Sequence, residues 1–297
     1  MQTPSAFELT DGRIIDLYLG GDPHGRALVM HHGTPSDATS FADWDMDCRA
    51  RGIRLICMSR PGYAESGRMA GRSVADIATL VEMLLDQLGY RRFHTAGWSG
   101  GGPHALACAA LLAPRCEGVA TLAGVGPYGE PGLDFFAGMG PENIEEFGAA
   151  LQGEAALRAW KAANAEGFRS VTGLELAAAF GGLVPQIDRD ELSGGQADTL
   201  AAVIRRALRG GFDGWVDDDL AFTRPWGFDL AAIGIPVTIW QGDLDLMVPH
   251  GHAAWIAGRM PGAVLRMVEG HGHISLVTQH RSAILDCLFA GPPSVGL

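Results

Sequence analysis

The chain has 297 residues, 47% hydrophobic and 19% charged, which is enough apolar material for a large core and excludes wholesale disorder. Lys+Arg total 22 against 34 Asp+Glu, a formal charge of −12, and this acidic balance argues against a nucleic-acid partner, whose binders carry a basic stripe. No run approaches the roughly 18 apolar residues of a membrane span.

Residues 1–12 carry neither the basic nor the apolar segment of a secretory leader, so a cytoplasmic protein is expected. Cys48, Cys57, Cys108, Cys116 and Cys287 are odd in number and form no C-x-x-C pair. They read as reduced thiols, with no zinc or redox motif. Lys161 is the single lysine, a bias that reads as compositional rather than chemical.

In chain order, residues 7–9 and 14–19 flank Asp11-Gly12, a hairpin turn signal. Short apolar runs at 27–30 and 53–58 read as strands. Val74, Ile77, Ala78, Val81, Leu84, Leu85 and Leu88 recur at helical spacing before Gly89 stops them. Residues 93–98 form a further strand, followed by small residues and a helix through 112, then a strand at 119–123. Short apolar strands alternating with helices imply crossover units and a mostly parallel sheet. From about 126 to 226 the rhythm breaks into helices, at 142–152, 154–165, 174–180 and 196–208. Strands resume at 237–240 and 264–268, and a final helix spans 274–289. The domain organisation is therefore an α/β core, residues 1–126 and 227–297, split by an all-helical insertion, residues 127–226. The Gly/Pro-rich tail 291–297 is expected to fray.

Gly97-Trp98-Ser99-Gly100-Gly101 matches G-x-S-x-G between a strand and a helix. A serine there sits on a sharp turn with its Oγ presented outward, and the flanking glycines leave room for the backbone. By itself the pattern is weak in a chain with 42 glycines. Four further motifs follow strands: His31-His32-Gly33-Thr34-Pro35, Arg60-Pro61-Gly62-Tyr63, residues 242–249 (GDLDLMVP), and His271-Gly272-His273. Pro35 disfavours helical angles at Thr34, so the turn stays extended and can aim the Thr34 N–H at the serine.

These motifs, in this order, resemble the α/β-hydrolase superfamily over nearly the whole chain. The resemblance implies a mostly parallel eight-stranded sheet flanked by helices, with residues 127–226 as a helical cap. It also implies Ser99 as nucleophile, Asp245 as acid, His273 as base, and the backbone N–H groups of Thr34 and Gly100 as the oxyanion hole. Asp243 remains a rival for Asp245, and His271 for His273. The pairs His271/His273 and His250/His252 are also H-x-H, but no carboxylate or cysteine cluster accompanies them, so no metal is expected. His31, His32, His94 and His104 read as structural. No phosphate loop or dinucleotide fingerprint is present, and no cofactor is implied.

Most cap aromatics, including Trp160, Phe168, Phe180, Trp215 and Phe222, are expected to form the cap's own core. Phe135, Phe136 and Met139, close to the sheet, and Trp98, beside the nucleophile, are the candidates for the substrate pocket. The run Asp217-Asp218-Asp219 reads as a solvated turn or helix cap, because adjacent carboxylates repel and prefer water. The function expected is a cofactor-free serine hydrolase of a small-molecule carboxylic ester. An aminopeptidase similar to the proline iminopeptidases, whose cap carboxylates bind a substrate amine, is the alternative within enzymes. A ligand sensor retaining the triad is the alternative outside them. Oligomeric state is left open.

Overall fold

Short apolar segments, buried along nearly their whole length because both faces are covered, pair into a single sheet. In the computed structural model, which describes residues 3–290, the first part of the chain runs β1 (Ser5–Glu8), β2 (Ile14–Gly21), β3 (Arg26–His31), α1 (Asp45–Ala50), β4 (Ile53–Met58), α2 (Asp76–Gln87), β5 (Phe93–Trp98), α3 (Gly101–Leu111) and β6 (Cys116–Leu122). Six helices follow: α4 (Pro141–Leu151), α5 (Glu154–Asn164), α6 (Gly173–Phe180), α7 (Gln186–Glu191), α8 (Ala197–Ala207) and α9 (Asp213–Phe222). The chain then returns to the sheet with β7 (Val237–Gly242), α10 (His250–Arg259), β8 (Val264–Val268), α11 (His273–Gln279) and α12 (Arg281–Phe289). The expectation for residues 291–297 lies outside the described residues.

The sheet has eight strands in the order β1-β2-β4-β3-β5-β6-β7-β8. β2 is antiparallel to β1 and β4, and every other pair is parallel. Successive side chains of a strand point to opposite faces. Val29 and Ile56 accordingly join the core under α2 and α3, with Leu80 and Leu106. Leu28, Met30 and Leu55 join the core on the other face, with Phe41, Leu276 and Leu285. Among the described residues, no helix is long and apolar enough to cross a membrane.

The helices α1, α7 and α10 were not expected, and two further elements differ from expectation. The helix expected over 274–289 is two helices, because His280 leaves helical angles (φ −108°, ψ 10°). The break lets Leu276 and Leu285 both reach the sheet. The second difference is larger. Asp217, Asp218 and Asp219 are not a solvated turn: they lie within α9, whose residues from Gly214 to Phe222 are all buried. The repulsion argument fails because a helix turns about 100° per residue, which sends the three carboxylates in different directions, to separate cationic partners. Asp217 meets Arg68 at 2.8 Å. Asp218 meets Arg60 and Arg72, each at 2.6 Å. Asp219 meets Lys161 at 2.7 Å. The single lysine of the chain is thus fully buried and engaged.

Asp218 is the centre of this contact. It also accepts from Tyr63 Oη and Thr34 Oγ1, both at 2.8 Å, and His104 Nε2 lies 3.5 Å away. Burial opposes its charge, but Arg60 and Arg72 hold its carboxyl well below the usual range. Asp218→Asn leaves two buried guanidinium groups short of a counter-charge. It is expected to cost about 3–5 kcal/mol of stability, read by urea denaturation at neutral pH. A depressed folded pKa means that this contribution is present above the ordinary aspartate value of 3.8 and is lost as pH falls below it. The difference between wild type and variant should therefore shrink in strong acid.

Candidate active site

Parallel α/β sheets present their loops, and hence their ligands, at the carboxyl ends of the strands. Ser99 directly follows β5 with φ 56°, a left-handed conformation rare outside glycine. The turn is held by Ser99 N–H donating to Leu122 O (2.8 Å) and Gly102 N–H donating to Ser99 O (2.9 Å). Close approach requires the flanking glycines: a Cβ on Gly97 would meet the Gly101 backbone, and one on Gly101 would meet the His31 carbonyl.

After β7, Asp245 is almost wholly buried. Its Oδ1 accepts from the Met247 and Val248 N–H groups (2.9 Å each), and its Oδ2 accepts from Gln241 Nε2 (3.2 Å). The same Oδ2 lies 2.7 Å from His273 Nδ1. The two rivals are turned elsewhere. Asp243 accepts from the Gly270 N–H at 2.7 Å, while His271 is bound to Glu269 O, Gln279 and His280. Burial pulls the His273 pKa down, but the charge and hydrogen bond of Asp245, aided by the charge of Asp188, raise it above the ordinary 6.5. The Trp98 indole lies 5.3 Å from the His273 ring and donates to its carbonyl at 3.2 Å.

The turn after β3 is organised by Arg60, fully buried. Its guanidinium donates to His32 O (2.5 Å), Gly33 O (2.9 Å) and Thr34 Oγ1 (2.8 Å). His32 Nδ1–H donates to Gly33 O and its Nε2 accepts from the Arg60 N–H, a neutral tautomer that fits the lowering of its pKa by burial and by Arg60. Gly100 packs against the Thr34 side chain, where a Cβ would collide. Among the described residues, no carbonyl or side chain accepts from the N–H of Thr34 or of Gly100. Donors left free in this way can stabilise developing negative charge.

Ser99, Gly100, Thr34, Trp98 and His273 all line one cavity of about 380 Å³. Its roof comes from the helical insertion, through Phe147, Trp160, Phe168, Phe180, Trp215 and Phe222. Several aromatics expected to serve only the cap's own core therefore face the cavity. Conversely, Phe135, Phe136 and Met139 do not line it. Phe135 packs edge-on with Tyr128, Phe136, Phe147 and His252, and Met139 joins the same core. These residues follow the chain's exit from the sheet, but the aromatic cluster draws them beneath α4 and α10. His252 is part of it: Nδ1 accepts from the Gly126 N–H and Nε2–H donates to Phe135 O, so both ring nitrogens are used in structure.

No lysine or arginine lines the cavity among the described residues, whereas Glu142, Glu145, Glu146 and Asp219 do. Behind the wall, Lys161 Nζ lies 2.5 Å from Glu146, 2.7 Å from Asp219 and 3.4 Å from the Trp215 ring centre. Burial pushes the Asp219 carboxyl well above the usual range; Lys161 opposes this and Glu146 reinforces it. Sequence reasoning missed this cluster. Its only signal was the isolation of Lys161 in a lysine-poor chain.

Residues 26–279 match the family described as alpha/beta hydrolase fold. Over 107 residues the chain is 36% identical to the 2-hydroxy-6-oxononadienedioate/2-hydroxy-6-oxononatrienedioate hydrolase 2 of Pseudomonas putida, a match covering 34% of this chain and 37% of that protein. Among solved structures, it resembles the bromoperoxidase of Bacillus anthracis, with 20% identity and a TM-score of 0.72 over 97% of this chain and 100% of that one. It also resembles the enol-lactonase of Burkholderia xenovorans LB400, with 17% identity and a TM-score of 0.70 over 95% of this chain and 98% of that one. At these identities the structural likeness is one of fold.

The electrostatics of His273 can be tested without a substrate. In a magnetic-resonance titration His273 is expected to keep its proton to higher pH than 6.5, while His252, buried and neutral, stays unprotonated down to about 4. Asp245→Asn should lower the His273 value, since burial then meets less opposition. An unchanged titration would show that Asp245 does not govern this histidine.

Proposed function

The chain belongs to the alpha/beta hydrolase fold family, and from that premise we propose that it is a serine hydrolase of carboxylic esters, with residues 127–226 as the cap over its site. A buried Asp245–His273 pair opens on the same cavity as Ser99, and that arrangement carries the reading. Ser99 Oγ attacks the acyl carbon while His273 Nε2 takes its proton. Asp245 fixes the Nδ1–H tautomer and stabilises the imidazolium. The oxyanion is held by the N–H groups of Thr34 and Gly100. His273 returns the proton to the departing alcohol, then activates water to release the acid and restore Ser99.

The cavity walls support a neutral substrate. A dicarboxylate such as the one in the name of the P. putida relative would bring anionic groups to a surface with carboxylates and no lysine or arginine among the described residues. Burying an unpaired charge there is costly. An amine-bearing peptide is not favoured either, since Asp219 and Glu146 already face Lys161 and the other two carboxylates, Glu142 and Glu145, are exposed to water.

A fluorophosphonate should label Ser99, and Ser99→Ala should lower kcat on a p-nitrophenyl ester by on the order of 10⁴ or more. Steady turnover of the ester is expected, with an amino-acid p-nitroanilide and a dienedioate much slower. Label on another serine sinks the nucleophile assignment. Faster anilide cleavage would establish the aminopeptidase reading instead, and one stoichiometric burst without turnover a sensor.

A further inference from the structure

Asp188, on the cap helix α7, is fully buried and has no part in the chemistry above. Its two oxygens reach across to the core. Oδ1 accepts from the Ser275 N–H at 2.8 Å and Oδ2 from the Ile274 N–H at 3.1 Å. These belong to the first turn of α11, whose N–H groups have no acceptor within their own helix. The residue that opens this turn is His273. Gly272, immediately before it, leaves the carboxylate its place, since a Cβ there would collide with Asp188 and come within 2.6 Å of the Pro185 ring.

Around this contact the cap and α11 are joined twice more. Val184 and Leu192 share an apolar cluster with Ile274, and Glu191 accepts from Gln279 Nε2 at 2.7 Å. The histidine-bearing turn is thus clamped from two sides, by Asp245 of the core through the imidazole and by Asp188 of the cap through the backbone.

We propose that Asp188 is a positioning residue through which the docked cap holds His273 in line between Asp245 and Ser99, so that assembly of the active site requires the cap. This rests on the reading of His273 as the base. The charge has a second effect. Asp245 and Asp188 are the carboxylates that raise the His273 pKa. The other titratable groups on the packed elements are engaged elsewhere: Arg189 with Gln186 and Val184 O, Asp190 with Gln186, Glu191 with Gln279, Asp243 with the Gly270 N–H, and His271 with His280. Asp188 therefore also favours the imidazolium formed as Ser99 attacks.

Two variants press on the contact from opposite sides. Asp188→Asn keeps the size and one carbonyl acceptor but removes the charge. Gly272→Ala crowds the carboxylate from the core with its charge intact. Both are assayed on the ester, with His273→Ala in parallel. Asp188→Asn is expected to lower kcat by roughly 10²-fold, leave KM little changed, and move the acidic limb of the kcat profile to lower pH. The sign follows because removing a negative charge lets His273 lose its proton sooner. Gly272→Ala is expected to lower kcat at similar KM.

Wild-type kcat with an unmoved limb in Asp188→Asn overturns the proposal, and so does a loss of kcat with an unmoved limb, which would mark a role in cap folding alone. If Asp188→Asn does not fold, Gly272→Ala decides, and wild-type kcat there overturns it. An active His273→Ala would instead overturn the base assignment itself, which separates the two failures.

Discussion

A single buried carboxylate, Asp218, lies where the helical insertion meets the sheet, and much of the architecture depends on its pairing with Arg60 and Arg72. A charge removed from water persists only when it is matched by opposite charge and hydrogen bonds. Asp218 therefore requires α9, the turn after β4 and the segment leading to α2 to converge on one point. Arg60 extends the constraint. With its charge met by Asp218, its remaining donors hold the carbonyls of His32 and Gly33 and the hydroxyl of Thr34. The shape of the turn beside Ser99 is thus set partly by a carboxylate of the helical insertion. An apolar substitute could fill the same volume, but it would not direct those donors.

The same logic recurs around the site. Asp217 meets Arg68, and Asp219 meets Lys161. Farther along the same interface, Arg206 of α8 reaches Asp16 and Asp37 of the core. Ion pairs of this kind are not necessarily more stabilising than apolar contacts, but they are more directional. They suit a cavity that lies between two layers and needs them in one register. Its walls are then left to aromatic groups, whose large flat faces exclude water while tolerating varied ligand shapes.

The α/β core, its parallel sheet and the helical interruption were legible in the sequence, because alternation of apolar runs and helical periodicity are local signals that survive without knowledge of neighbours. The strand-to-helix turn at Ser99 was equally legible, since its flanking glycines answer to backbone crowding within a few residues. Weak helical signals were lost where they were short, as at α1 and α7, or where polar residues disguised burial, as at α9.

What the chain could not state by itself was who meets whom across long separations. Motif resemblance favoured Asp245 over Asp243, but the residues of GDLDLMVP do not by themselves show which carboxylate faces His273 and which caps Gly270; that follows from the path of the loop after β7. Nothing in the aspartate run shows its four cations, since Arg60, Arg68, Arg72 and Lys161 come from four other places in the sequence. Repulsion between neighbours in sequence was the only term available, and it gave the wrong sign for burial. Composition, periodicity and motif order determined the fold class and the residues that could carry chemistry. The tertiary structure decided which charges are matched, which aromatics face the cavity, and how the helical insertion reaches the histidine turn, because pairing and burial depend on distances in space that sequence spacing does not encode.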